Sequence, residues 1–323
     1  MHIMCGLESM RQNDFLSRWR KALEAYGTRG NCADGVKFED LELRIHGDAH
    51  PFVVFTNDNY ALRMELMQKQ KPYVPERELY GMSLDVEHCL LCQNIAQAIE
   101  KGDNIIEELS NYLILPNRYP PFPGAWLLMP KNHDEMSRRT SGLAPEEGKT
   151  RAKIVTPDLL YALIEYCNRH EMAGLRNHPL DGMSIPGHEH FLGMPKSTAV
   201  FKLTEKVLGN KLQTEYDKNI FKPENTPFDT LVVSDEKPER IVETACPILE
   251  RMERSNEVFT LIYLEPNLFI GSRNSERIGN QKLKKGMAGT PVHFVNYAGQ
   301  EYIKEVELTV PKRGEFRWER YIR

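Results

Sequence analysis

Two histidines separated by one residue, His188 and His190, are the residues of this chain whose types and spacing best suit chemistry on phosphorus. An imidazole is neutral near pH 7, so it can attack phosphorus, and it leaves readily once attached to it. Asn177 and Ser184 precede the pair, and each side chain could either donate to phosphate oxygens or serve a turn. We predict a phosphate-attacking histidine here; the alternative is an ordinary loop that carries two histidines.

Two cysteines upstream, Cys89 and Cys92, have a spacing typical of metal ligands. The chain has six cysteines in 323 residues, too few for a disulfide scaffold of this size. In a reducing compartment such a pair indicates metal binding or redox chemistry, and the strand and helix alternation of a thioredoxin-like site does not follow it. The alternative is a pair of buried free thiols.

A proline-punctuated segment lies between these two pairs, from Leu115 to Pro130. Apolar runs at its ends and the Pro and Gly residues in its middle predict a strand, a turn and a second strand. Neither the cysteine pair nor the histidine pair is specific when taken singly. The combination in this order carries the argument.

Taken together, these motifs resemble the histidine-triad superfamily, in the branch that holds galactose-1-phosphate uridylyltransferase, diadenosine tetraphosphate phosphorylase and the GDP-hexose phosphorylases. The resemblance covers roughly residues 85–205. It implies an α+β fold, an antiparallel sheet with flanking helices, and a second degenerate half packed against the first. It also implies a nucleotidyltransferase or phosphorylase acting on a nucleoside diphosphate-linked compound, a sugar nucleotide or a dinucleoside polyphosphate. The alternatives are a nucleotide hydrolase of the same superfamily and a catalytically impaired, zinc-stabilised nucleotide-binding protein.

The resemblance assigns a role to each candidate residue. His190 becomes the nucleophile and holds a covalent nucleotidyl group, while its other ring nitrogen donates to a backbone carbonyl. Asn177 and Ser184 contact the phosphates, and Asn117 and Arg118 reach nucleotide hydroxyls or phosphate. Each of these polar residues could instead serve as a turn or cap residue.

The same resemblance implies a zinc site. Its ligands are Cys89, Cys92, His133 and His188, two thiolates and two imidazoles that suit tetrahedral zinc. With all four positions filled by protein, the ion would be structural and would fix the backbone beside the nucleophile. His88 is a substitute ligand.

Two residues depart from the family pattern. Relatives place Gln or His two residues after the nucleophile, where it binds phosphate oxygens or protonates the leaving group, and this chain has Leu192 at that substrate-binding position. Loss of such a donor typically lowers the rate about 10²–10³-fold. Gly187 stands as an insertion before His188, so a slipped register would make His188 the nucleophile and His190 the third member.

Composition favours a small-molecule partner. The chain is 41% hydrophobic and 27% charged, as ordinary globular proteins are, and its formal net charge of −4 gives no basic field for nucleic acid or anionic membrane. No signal peptide or run of about 18 apolar residues is apparent, so we expect a cytoplasmic protein. We expect a nucleotide substrate, no nucleic acid and no membrane, with a homodimer left open.

Periodicity predicts the elements that must position these residues, and the polar segment 216–227 predicts a division into a catalytic half, 1–215, and a second α+β half, 216–323. Predicted helices cover 9–26, 95–109, 158–169 with Thr156 as N-cap, and 239–254. Predicted strands cover 36–45, 52–55, 228–234, 259–264, 268–271 and 302–310.

Overall fold

The computed structural model describes residues 14–23, 43–46, 53–57, 100, 105–117, 124–131, 155–176, 189–196, 212–223, 229–255, 257–273, 292–294 and 316–322. For 43–46, 53–57, 212–215, 273 and 292–294 it describes the backbone only. The helices are α1 (14–23), α2 (Pro157–His170), α3 (Pro238–Arg254) and α4 (Glu319–Ile322). The strands are β1 (Leu43–His46), β2 (Val53–Asn57), β3 (Glu107–Glu108), β4 (Tyr112–Pro116), β5 (Trp126–Pro130), β6 (Met172–Arg176), β7 (Phe191–Pro195), β8 (Leu212–Asp217), β9 (Ile220–Pro223), β10 (Thr230–Ser234), β11 (Val258–Leu264), β12 (Asn267–Arg273) and β13 (Val292–Phe294).

A ten-stranded sheet contains the strands from β3 to β12 in the spatial order β3-β4-β5-β7-β6-β11-β12-β10-β9-β8. All of its neighbouring strands run antiparallel. The strands β1, β2 and β13 form a separate three-stranded sheet. The predicted α+β class with a large antiparallel sheet and flanking helices is confirmed.

The two halves of the large sheet repeat one architecture. Among the described residues, each half has three strands, one helix and two further strands in chain order, and from each outer edge the strands lie in the order first, second, third, fifth, fourth. The halves join where β6 pairs with β11. The predicted second half packed against the first is therefore present as a structural repeat.

The helix α2 begins and ends where the sequence predicts. Thr156 is the N-cap, and its side-chain oxygen accepts a hydrogen bond from the Leu159 N–H at 3.3 Å. The helix ends at Glu171, which has a left-handed backbone (φ 55°) and turns the chain into β6. This short connection places α2 against the strand that precedes the histidine pair.

The large sheet is covered on both faces. On the face that carries α2 and α3, the core includes Phe191, Trp126 and Leu163. A second buried apolar cluster on the other face includes Leu192 and Leu175. Consecutive residues of β7 thus enter different cores, as strand alternation requires.

A glycine in β7 lets an aromatic ring lie across the sheet. Gly193 pairs with Trp126 of β5, and a Cβ at Gly193 would come within 1.9 Å of the Trp126 ring. Any side chain at this position would displace a fully buried tryptophan. The register of β7 against β5 is therefore strongly specified.

The predicted helix 95–109 is wrong at its C-terminal end. Glu107–Glu108 is a short strand, with Glu107 paired to Ile114, and the Leu109 N–H donates to the Tyr112 carbonyl across a tight turn. The adjacent β-branched Ile105 and Ile106 favour a strand over a helix. Strands also occupy 172–176, 191–195, 212–217 and 220–223, where the sequence pattern predicted none.

The remaining predicted elements agree where they are described. The structure has helix at 14–23, 157–170 and 238–254, and strands at 43–46, 53–57, 230–234, 258–264 and 267–273. The predicted strand 302–310 lies outside the described residues. The division between 215 and 216 stays a prediction; that point lies within β8, and both parts contribute to one sheet.

Candidate functional site

His190 lies directly before β7, a strand in the interior of the large sheet. β7 pairs with β5 through Phe191 and Leu128, and with β6 through Leu192 and Leu175. The His190 side chain is half-buried. His190 is therefore supported by an interior strand, and part of its side chain is exposed.

Alternation along the strand separates His190 from its sequence neighbour. Phe191 belongs to the helix-side core and Leu192 to the opposite core. By the same alternation Glu189 faces the helices, while His190 shares the face of Leu192. The candidate nucleophile therefore lies on the face of the sheet away from α2 and α3.

Glu189 forms a buried ion pair with Arg176, the last residue of β6. The Arg176 Nε donates to Glu189 Oε1, and the Nη2 donates to Oε2 at 3.1 Å. Both residues are 1% exposed, and the guanidinium carbon lies 5.5 Å from the centre of the Phe259 ring. Burial acts to lower the pKa of Arg176, but the nearby carboxyl groups of Glu189 and, to a smaller extent, Glu253 raise the pKa above its usual value.

A third charged residue, Glu253 of α3, is buried beside this pair. It is 8% exposed. Its burial raises the pKa to about 8; Arg176 opposes the rise, and Glu189 adds to it. Near pH 7 the carboxyl is therefore mostly protonated, and the three groups carry one positive and one negative charge.

Of the predicted site residues, the structure describes Asn117, His190 and Leu192. The predicted positions Arg118, Asn177, Ser184 and His188, and the zinc ligands Cys89, Cys92 and His133, lie outside the described residues. Within those described, no group of three or more His, Cys, Asp or Glu side chains could hold a metal ion.

Asn117 and His190 lie toward opposite ends of the strands. The Asn117 N–H donates to the Ala125 carbonyl at 2.9 Å, next to the Pro116 and Trp126 pair. Trp126 in turn pairs with Gly193, three positions beyond His190. Asn117 is therefore roughly 12 Å along the strand direction from His190 and two strands away. The described structure does not bring these two predicted residues together.

Leu192 is part of an apolar row across the sheet. Its ladder partners are Leu175 of β6 and Leu127 of β5, and Leu175 pairs in turn with Ile262 of β11. Leu192 is 8% exposed. Its side chain packs among leucines, and it offers no donor two residues after His190.

Arg176, Glu189 and Glu253 were not predicted from the sequence as functional residues. A glutamate between the two histidines of the motif looks like a solvent-exposed charge. Its partner lies 13 residues away at the end of a strand, and only the pairing of β6 with β7 brings them together. The available signal was an arginine that directly follows the apolar run Met172–Leu175.

In the part of the chain that the structure describes, no helix is long and apolar enough to span a membrane.

Comparison with solved structures finds a shared fold. The chain is similar to yeast Ap4A phosphorylase Apa2, with a TM-score of 0.51, 12% identity, and coverage of 97% of this chain and 98% of that one. The complex of that enzyme with AMP gives a TM-score of 0.50, 13% identity, and coverage of 94% and 99%. Its complex with Ap4A gives 0.50, 13%, 93% and 97%. No family model and no curated protein matches the chain. The chain therefore shares the α+β fold of these phosphorylase structures.

Proposed function

We propose that this protein is a nucleotidyl-transferring enzyme, a phosphorylase or transferase that works through a covalent nucleotidyl-His190. The observation that carries the proposal is the position of His190. It is half-buried at the start of an interior strand, in a fold shared along nearly its whole length with a phosphorylase solved with AMP and with Ap4A. The substrate we propose is a sugar nucleotide, another nucleoside diphosphate-linked compound or a dinucleoside polyphosphate.

The reaction has two displacements at one phosphorus. An imidazole nitrogen of His190 donates its lone pair to the α-phosphorus, a P–N bond forms, and the P–O bond to the leaving group breaks with its electron pair. An acceptor oxygen then attacks the same phosphorus and the P–N bond breaks, which restores the histidine. Inorganic phosphate or a sugar phosphate as acceptor gives transfer, and water gives hydrolysis.

The described elements support a phosphate site beside His190. Asn177 directly follows Arg176, whose side chain is ion-paired with the residue before His190. We therefore propose that Asn177 contacts the phosphates beside the nucleophile. Ser184 falls between these two positions in sequence, and we propose both side chains as donors to phosphate oxygens.

We propose a zinc site at the same end of the sheet as His190. β5 ends at Pro130 and the antiparallel β7 begins at Phe191, so these two strand termini lie side by side at one end of the sheet. His133 is three residues beyond the first and His188 three residues before the second, a reach of about 10 Å each. Together with Cys89 and Cys92, the two histidines would form a donor set suited to tetrahedral zinc. A bound zinc ion would stabilise this end of the sheet.

Leu192 favours a second candidate, a nucleotide-binding protein with impaired catalysis. Its side chain packs in an apolar row and can neither bind a phosphate oxygen nor give a proton to a leaving group. Tight nucleotide binding without turnover, unchanged in His190→Ala, would favour this candidate over the enzyme.

A donor screen tests the proposal. The purified protein is incubated with nucleoside triphosphates, sugar nucleotides and dinucleoside polyphosphates, with and without phosphate or a sugar phosphate, and products are separated. We expect turnover with at least one donor and its loss in His190→Ala. His170→Ala is the matched control, since His170 is the last residue of α2 and contacts Glu107 of β3. Turnover that survives in His190→Ala would contradict the proposed role.

A further inference from the structure

The backbone ladder between β6 and β7 ends just before the candidate site. Its last pair on this side is Leu175 with Leu192. Beyond that pair, the side chains of Arg176 and Glu189 connect the two segments instead. The ion pair thus begins where the backbone hydrogen bonds stop, one residue from His190.

Stability does not account for this pair. Both partners are 1% exposed, and removing two charges from water costs more than their attraction often returns. Apolar residues of similar volume commonly stabilise a core as well or better. A fixed geometry is what two parallel donors and a planar carboxylate add to the site.

The backbone position of Glu189 constrains the orientation of the adjacent His190. Glu189 and His190 are adjacent and face opposite sides of the strand, so a rotation of the backbone at one residue turns the other. The guanidinium is itself held against Phe259 of β11. Arg176 and Glu189 are therefore anchored to the helix-side core while His190 faces the other side.

We infer that the buried Arg176–Glu189 ion pair is a positioning device that orients the imidazole of His190 toward the phosphorus under attack. This inference rests on the proposed function for the reaction it serves. Arg176 and Glu189 are positioning residues that touch no substrate. Misplacing a reacting group by about 1 Å can lower the rate on the order of 10²-fold.

The test replaces the pair by apolar residues of similar size, Arg176→Met with Glu189→Leu. The matched control removes the ion pair at the other end of β7, Lys196 with Glu265 at 2.7 Å, as Lys196→Gln with Glu265→Gln. For each variant we would measure unfolding in urea, nucleotide affinity and the single-turnover rate of adduct formation. The carbethoxylation rate of His190 is followed by peptide mass spectrometry, with His170 as internal standard.

The inference predicts that the apolar variant folds and binds nucleotide but forms adduct about 10²-fold more slowly. Its His190 should react severalfold faster with the reagent than in wild type, because the ring is no longer held. The control should match wild type in both rates. An apolar variant with the wild-type adduct rate and His190 reactivity would overturn the inference.

A milder variant covers the case in which the apolar pair does not fold. Glu189→Asp keeps the charge and shortens the side chain by one methylene, and the same rates decide the outcome. If wild type forms no adduct with any donor, the proposed function fails. The His190 reactivity of the two variants still decides whether the ion pair orients the ring.

Discussion

At the scale of single residues, the adjacent residues Glu189 and His190 face opposite sides of the sheet. Glu189 is buried on the helix side and bound to Arg176, whereas His190 is half-buried on the other side. A histidine attacks faster when its ring is held in the reactive orientation, and we infer that the residue beside it supplies the anchor. Residue type showed where chemistry could occur, and the strand determines which face presents it.

Leu192 gives a prediction about the leaving group. Leu192→Gln introduces an amide two residues after His190. Members of the superfamily that the motif resembles have a hydrogen-bond donor at this position. Substrates that expel a sugar phosphate or an alcohol should gain up to about 10²-fold, and substrates that expel pyrophosphate should gain little, since pyrophosphate needs no proton. Single-turnover rates for both substrate types measure this gap.

The same substitution places a polar amide in an apolar row, so we expect the free energy of unfolding to fall by about 1–3 kcal/mol. Leu192→Met keeps the volume and the polarity, and it should leave both the gap and the stability close to wild type. Equal or lower rates for both substrate types in Leu192→Gln would show that position 192 does not reach the leaving group. The slipped register with His188 as nucleophile would then gain weight.

At the scale of elements, α3 carries a buried acid that should make the stability depend on pH between about 5 and 8. The folded-state pKa of Glu253 is about 8, above its ordinary value of 4.5. Between these two values the folded protein keeps a proton that the unfolded chain has lost. The free energy of unfolding should therefore fall as pH rises from about 5 to 8, by up to about 1.4 kcal/mol per pH unit.

Glu253→Gln cannot ionise and should lose that slope, so its stability relative to wild type should increase as pH rises from 5 to 8. Urea unfolding at several pH values measures it. Glu250→Gln is the control on the same helix, since Glu250 is paired with Arg254 and 44% exposed. Parallel pH profiles for wild type and Glu253→Gln would show that burial does not keep this carboxyl protonated.

Elements with local signals could be predicted from sequence, and elements defined by distant partners could not. Thr156 and Pro157 fix the start of α2 because capping is local. β6 and β7 are five residues each and buried on both faces, so they show no alternation. The end of the predicted helix 95–109 became a strand because Glu107 pairs with Ile114 across a turn.

At the scale of the whole molecule, the repeated architecture holds one histidine pair. The counterpart of β7 in the second half is β12, and the residues directly before it, Leu264, Glu265 and Pro266, include no histidine. The second half extends the sheet, and its strand β11 pairs with β6 of the first half. The histidine pair was visible from residue spacing, whereas Arg176 and Glu189 meet only when the sheet has formed.

Zinc content is a prediction at this scale. Protein purified without chelator should contain about one zinc per chain, bound by Cys89, Cys92, His133 and His188. Cys89→Ser should destabilise the fold more than it slows the chemical step, because structural zinc contributes folding energy. Elemental analysis that finds less than about a tenth of an equivalent would count against the site.

The central claim is a covalent bond between His190 and a nucleotide. The direct measurement is to quench a single turnover with a radiolabelled donor, digest the protein under basic conditions, and locate the label by peptide mass spectrometry. We expect an acid-labile, base-stable nucleotidyl group on His190 that is absent in His190→Ala. A label on His188, or no label with a donor that is turned over, would contradict it.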